Sequence, residues 1–190
     1  ARETDVVVLG SGIAGLRAAL EAAEPGPVLV ITKAGMRESN TFYAQGGIAS
    51  AFAPTDSVDQ HVADTLAAGA GLCDEDVVRL VTQEGVARVR ELMAWGAGFD
   101  RLESGGLAWT REGGHSKARI LHANGDATGR EVERALVERV RSHPRVDVIE
   151  NAFASDLLTA GEECVGVLVR VAEGNGVGRS NRLVGRAGAT

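Results

Sequence analysis

The sequence predicts an α/β fold with a parallel sheet at its centre. Three observations carry this: Val6 to Leu9 is an unbroken, β-branched apolar run, a helical pattern follows at once from Ala14 to Ala23, and Val28-Leu29-Val30-Ile31 is a second apolar run. A strand that is apolar on both faces is one covered on both sides, as in parallel sheets. Pro25-Gly26-Pro27 stops the intervening helix.

From Gly35 to Pro54 no period survives, and a long functional loop is expected. Ser57-Val58-Asp59-Gln60 matches a capping box and opens a helix to about Ala68. A longer helix is expected from about Glu75 to Trp95, with Val78, Val81, Val89, Leu92 and Met93 on its apolar side. Asp74, Glu75 and Asp76 suit its positive end, and Gly96 its stop. Residues 99–124 are expected to be irregular. Thr128-Gly129-Arg130-Glu131 is a second capping-box match, starting a helix with Val132, Leu136 and Val140 on one face until Pro144. Val146 to Glu150 and Val165 to Val171 read as strands, Gly174 to Gly188 as a stretch of low order, and Trp95 and Trp109 as packing residues. The organisation is thus a Rossmann-like core of residues 1–34 and 128–190 with a helical, loop-rich insertion over 35–127.

With 20 Lys plus Arg against 26 Asp plus Glu, a net charge of −6 and no basic block, nucleic acid is excluded as a partner. No run approaches the roughly 20 apolar residues of a membrane span. Cys73 and Cys164 are far apart and read as reduced thiols, so a cytoplasmic setting is expected. His61, His115, His122 and His143 have no metal-ligand spacing.

The chemistry starts at Gly10-Ser11-Gly12-Ile13-Ala14-Gly15, between the first strand and the first helix. Gly10 permits the tight turn, Gly12 lets backbone approach a pyrophosphate, and Gly15 lets the helix pack closely. The helix N-terminus then offers amides and a positive dipole end to phosphates. An acid about 20 residues on would hold a ribose, but this sequence has Thr32-Lys33 there.

Ser39-Asn40-Thr41-Phe42-Tyr43-Ala44-Gln45-Gly46-Gly47-Ile48-Ala49 resembles the flavin loop of the succinate dehydrogenase, fumarate reductase and L-aspartate oxidase flavoprotein family. A second block, Leu107-Ala108-Trp109-Thr110-Arg111-Glu112-Gly113-Gly114-His115-Ser116 followed by Arg119 to Ala123 and Asp126 to Glu131, sharpens the resemblance: its run Thr110 to Ser116 is similar to the L-aspartate oxidases of that family in particular, and Ala68 to Asp74 agrees with them. The resemblance covers the chain to about Val169. It implies an FAD-binding domain, incomplete here, and places Lys33 as a cationic contact to the adenosine in place of an acid. Gly10, Ser11, Gly12, Ile13, Ala14 and Gly15 would cradle the pyrophosphate. Asn40, Thr41, Phe42, Tyr43, Ala44, Gln45, Gly46 and Gly47 would follow the flavin and ribityl chain, with the Gln45 amide suited to the flavin's polar edge. The backbone of Phe153 and Ala154 would flank the adenine. In the dehydrogenases of the family a histidine at the position of Asn40 bonds covalently to the flavin; Asn40 cannot, so FAD is expected to be held non-covalently.

The same resemblance implies oxidation of L-aspartate to iminoaspartate in quinolinate and NAD biosynthesis, with O2 or fumarate as acceptor and a hand-off to quinolinate synthase. Glu112 is the expected contact to the substrate's ammonium, the group that distinguishes aspartate from succinate. Read without the resemblance, Glu112 is a loop carboxylate pairing with Arg111 or Arg119. His115 and His122 are either flavin-pocket or structural imidazoles, and Arg119 either a substrate or a loop-bracing cation. The chain is expected to be the N-terminal part of a longer protein, unable alone to retain FAD tightly or to turn over L-aspartate. The competing readings are a fumarate reductase or succinate dehydrogenase flavoprotein, and a non-catalytic dinucleotide-binding module.

Overall fold

In the computed structural model, which describes residues 2–171 and, by backbone alone, 179–185, the elements run in chain order. They are β1 (Glu3–Thr4), β2 (Val6–Leu9), α1 (Ile13–Ala22), β3 (Val28–Ile31), α2 (Asn40–Tyr43), β4 (Ile48–Ala49), α3 (Val58–Gly69) and α4 (Glu75–Ala94). Then follow β5 (Trp109–Thr110), β6 (Ile120–Leu121), α5 (Thr128–Arg141), β7 (Val146–Ile149), β8 (Ala152–Ala160), β9 (Glu163–Val171) and β10 (Arg179–Gly185). The chain forms two compact units, residues 1–42 with 136–190, and residues 43–135.

The first unit is built on the parallel sheet β2-β3-β7, with Val6 opposite Val28 and Val28 opposite Val146. β3 is central and buried along its whole length, which is why its four residues are all apolar. On one face Leu29 and Ile31 pack with Ala152, Val167 and Val169. Val28 and Val30, one residue out of phase, point to the other face. The helix α1 packs on β2 and β3 and buries Leu16, Ala19 and Leu20. Each fully buried Leu, Ile or Val contributes roughly 1.5–3 kcal/mol of transfer free energy.

The second sheet of this unit, in the order β1-β10-β9-β8, contains three strands that the sequence pattern does not reveal, the two-residue β1 and the longer β8 and β10. β8 pairs antiparallel with β9 through register shifts at Ala154/Asp156 and Leu158/Thr159. Its apolar Phe153 and Leu157 are exposed, so it lacks the inward alternation by which a strand is recognised. Residues 179–185, expected to be of low order, form β10 and pair with β9. The rest of that expected stretch, within 172–178 and 186–190, lies outside the described residues.

In the second unit α3 and α4 pack on each other. Ser57 caps α3 by accepting the Gln60 N–H at 3.2 Å, but the Gln60 amide donates forward to Asp64, so only half of the expected box forms. Asp74 caps α4 through the Val77 N–H, and Gly96 at φ 92° ends it, with Gly96 and Ala97 donating to the carbonyls of Met93 and Leu92. Val81, assigned to the apolar face, is 63% exposed, and Thr82 is buried instead. Thr82 is tolerated there because its hydroxyl donates to the Val78 carbonyl.

The second capping box does not form. Thr128 Oγ1 accepts the Ala123 N–H, while the Glu131 carboxylate takes the Gly98 N–H at 2.7 Å and the Arg134 guanidinium. A cationic partner plus an amide outcompetes a single cap bond. The stretches expected to be irregular carry α2 and the small antiparallel sheet β4-β6-β5, whose two-residue strands are too short to show a period.

Candidate functional site

The glycine motif lies at the C-terminal edge of the parallel sheet, where ligands of such folds bind. Gly10 sits at φ 105°, and its N–H continues the sheet by donating to Ile31. A Cβ on Gly15 would overlap the Gly10 carbonyl oxygen, so close helix packing on the turn requires glycine there. The N-cap of α1 is Gly12, with no side-chain cap and no acid in the first turn, in contrast to Ser57 and Asp74 on α3 and α4. Helix α1 therefore leaves its positive end without a carboxylate of its own, as a bound anion needs. Thr41 Oγ1 accepts the Ile13 N–H at 3.0 Å and lies where a Gly12 Cβ would meet it at 3.5 Å. The segment that follows β3 thus returns to the motif. Ala14 lies exposed in the first turn of the helix.

Thr32, at the place of the acid in nicotinamide-binding folds, is buried and shares a 3.0 Å hydrogen bond with Ser11. A hydroxyl pair ties turn to strand end without charge. Lys33 is exposed, and on either side of it the Thr32 and Ala34 carbonyls accept N–H bonds from Ala152 and Asn151. That brings Lys33 to the start of β8, and with it Phe153 and Ala154, on a strand at the edge of its sheet. Glu150 accepts the Met36 N–H at 2.6 Å and pins the chain leaving β3. Asn40 begins α2, whose Phe42 N–H is capped by Ser39 Oγ at 3.2 Å.

The second unit holds the other expected residues. Tyr43 and Gln45 are exposed, the Ala44 carbonyl accepts the Gly129 N–H, and Gly46 has φ 75°. Gly47 immediately precedes β4, His122 follows β6, and Glu112 stands two residues beyond β5. Pairing of Ile48 with Leu121 sets Gly47 beside His122, whereas β5 runs antiparallel to β6 with Thr110 opposite Ile120, so Glu112 leaves the ladder at the Arg119 end and its contact with His122 is made outside the ladder. Glu112 Oε1 lies 2.7 Å from His122 Nε2, so among the described residues its partner is His122 rather than Arg111 or Arg119. A Cβ on Gly47 would overlap Ile120 Cγ2 and stand 2.9 Å from His122 Nε2.

Arg119 is fully buried and braces the loops instead. It donates to both oxygens of Asp56 at 2.8 Å, to Asp64 Oδ2 at 2.6 Å, and to His115 Nδ1 at 3.2 Å. A guanidinium has no acceptor, so His115 carries its own ring proton on Nε2. Ser116 donates its N–H and its hydroxyl to the same Asp64 oxygen, each at 2.8 Å. Burial alone would raise the Asp64 carboxyl, but Ser116 and Arg119 outweigh it and hold it far below its ordinary 3.8. Asp56 is likewise held down, burial being outweighed by Arg119 and the Ser57 N–H. Asp56, Asp64, Thr32 and Glu150 are structural partners that sequence reading missed; Asp56 and Asp64 lie 63 and 55 residues from Arg119, beyond any local signal. Trp109 packs edge-on against Phe52 with ring centroids 4.8 Å apart.

Comparison with known proteins adds to this geometry. The family model described as FAD binding domain matches residues 5–189. The chain is similar to L-aspartate oxidase 2-a, chloroplastic, of Nicotiana tabacum, 58% identical over 83% of this chain and 24% of that protein. It is also similar to the L-aspartate oxidase of Streptomyces coelicolor, 54% identical over 83% of this chain and 27% of that protein. Among solved structures it resembles Mycobacterium smegmatis Sdh1 in complex with UQ1, at TM-score 0.84 and 32% identity, over 98% of this chain and 33% of that one. The chain spans about a quarter of the length of the curated relatives it matches.

Proposed function

This chain belongs to the FAD-binding-domain flavoproteins, and from that premise we propose that it holds FAD non-covalently in a protein that oxidises L-aspartate to iminoaspartate, with O2 or fumarate as electron acceptor. It is a homologue of L-aspartate oxidases. The single observation that carries the substrate reading is Glu112, a half-exposed carboxylate held by His122 beside Gly47. An anion so placed suits an α-ammonium and disfavours a dicarboxylate that lacks one.

In this reading Ser11, Gly12, Ile13 and Ala14 receive the pyrophosphate at the N-terminal end of α1, which has no acid in its first turn, and Gly10 and Gly15 set the turn. Lys33 and the backbone of Phe153 and Ala154 meet the adenosine, and Asn40 to Gly47 follow the ribityl chain and ring, with Gln45 bonding its polar edge. Bound FAD supplies an acceptor for the hydride of the substrate Cα. Glu112 fixes the amine. Asn40, lacking a nucleophilic imidazole, leaves the ring unlinked. Two free thiols suit the cytoplasm, and quinolinate synthase is the enzyme receiving the product.

The test uses the protein as encoded by its gene. Acid precipitation is expected to release all flavin into the supernatant, and L-aspartate, but not succinate, to bleach the flavin bands without oxygen. Flavin retained in the pellet would refute the non-covalent assignment, and bleaching by succinate alone would select a dehydrogenase.

A further inference from the structure

We infer that His122 is a specificity-determining positioning residue, which orients Glu112 toward an amine-bearing substrate; this rests on the reading of Glu112 given above. One backbone bond and two contacts of its ring hold His122. Its own carbonyl accepts the Asp100 N–H at 2.8 Å, its ring edge lies against Gly47, where a Cβ would come within 2.9 Å of Nε2, and Nε2 stands 2.7 Å from Glu112 Oε1. The His122 side chain is 18% exposed while that of Glu112 is 49% exposed. The less exposed member therefore anchors the one facing solvent.

The chemistry sets the direction of the bond. An ionised carboxylate only accepts, so His122 Nε2 carries the proton and donates it to Oε1. With that proton engaged, His122 is no base for the substrate at Nε2. It occupies one oxygen of Glu112 and leaves Oε2 for a second donor, which is what a single ammonium contact requires. Gly47, in the segment similar to flavin loops, touches the same ring, so His122 also links the acid's orientation to that loop. An unanchored glutamate on a glycine-rich loop would lose rotamer freedom at the moment of binding; one already held does not.

The test measures equilibrium binding, by titration calorimetry, to the FAD-loaded protein as encoded by its gene. The probes are L-2-methylaspartate, which keeps the amine but has no Cα hydrogen to transfer, and succinate, which lacks the amine. His122→Asn removes a donor at the reach of Nε2, and His122→Gln restores one. The expected result is that His122→Asn weakens L-2-methylaspartate about tenfold, the scale of a lost hydrogen bond to a charged group, with succinate unchanged. His122→Gln is expected to recover binding to within about threefold of wild type, a residual well under one such bond.

Equal weakening of both probes, or a Gln variant as impaired as the Asn variant, would overturn the inference. Glu112→Gln separates it from its premise. If Glu112→Gln abolishes the preference for the amine and His122→Asn keeps it, the role of Glu112 stands and that of His122 falls. If Glu112→Gln itself keeps the preference, both fall.

Discussion

Arg119 grips Asp56 with two parallel bonds, Nε to Oδ2 and Nη2 to Oδ1, each 2.8 Å long, and both side chains are fully buried. The pair joins the loop before α3 to the strand entry of β6, and the remaining guanidinium nitrogen holds Asp64 and His115. Removing one partner of a buried pair leaves the other charged and uncompensated. Asp56→Ala is therefore expected to destabilise the fold by about 3–5 kcal/mol. Arg119→Lys keeps the charge but not the fork, and is expected to be destabilising as well. Urea unfolding checks both; a loss below about 1 kcal/mol for Asp56→Ala, the scale of a surface pair, would contradict the account.

His61 beside this network sets a pH dependence. It is 8% exposed, its Nδ1 has no hydrogen-bond partner among the described residues, and its ring lies 5.5 Å from that of His115. Burial, then the charge of Arg119, hold its pKa below the ordinary 6.5 against the opposing pull of Asp56 and Asp64. The unfolded chain thus binds this proton first, so stability falls as pH drops from 6.5 toward the lower folded value, and flattens below it. Asp56 and Asp64, with folded pKa values below 3.8, add their own loss only as pH falls below that value. Melting temperatures followed from pH 7.5 to 4.5 are expected to decline less steeply in His61→Gln than in wild type. Parallel slopes would mean that His61 does not contribute.

What local sequence shows and what it hides divides along chain distance. β2, α1 and β3 were readable to within a residue because apolar runs and the Pro25-Gly26-Pro27 stop act on neighbours. The cap was readable at Ser57, where one side chain meets an amide three residues on; Asp74, read only as a favourable charge at the helix start, turned out to be a cap of the same kind, and Thr128 was misread, since Glu131 prefers Gly98 and Arg134. β8 stayed hidden because Phe153 and Leu157 face solvent. The meeting of Glu112 with His122 does not follow even from the ladder, whose register of Trp109 with Leu121 and Thr110 with Ile120 directs Glu112 toward the opposite end of β6 from His122. Both residues stood out as candidates in the sequence; their meeting did not.

Gly47 tests the pairing of β4 with β6 directly. A methyl group there would overlap Ile120 and press on the Leu121 carbonyl, both in β6, and on His122 just after it. Gly47→Ala is expected to displace β6 and destabilise the protein by about 1–3 kcal/mol, as overpacking does. Chemical denaturation measures this. An unchanged midpoint would show that β4 and β6 part without cost.

The last two glycines of the motif should separate folding from cofactor binding. At Gly15 an added Cβ overlaps the Gly10 carbonyl oxygen, which is backbone and can move only with the turn. Gly15→Ala is thus expected to lower stability by about 1–3 kcal/mol and, through the distorted turn, to weaken FAD binding too. At Gly12, with φ −70° and the nearest atom Thr41 Oγ1 at 3.5 Å, an alanine is accommodated. Its cost is that of exchanging an N-cap glycine, about 1 kcal/mol or less. The methyl would nonetheless occupy the approach of a pyrophosphate to the first turn of α1. Gly12→Ala is therefore expected to keep its unfolding midpoint nearly intact while losing FAD affinity, read by quenching of flavin fluorescence. Full FAD affinity in a folded Gly12→Ala variant would move the phosphates away from this turn, whereas equal stability losses in the two variants would mean that Gly12, like Gly15, serves packing alone.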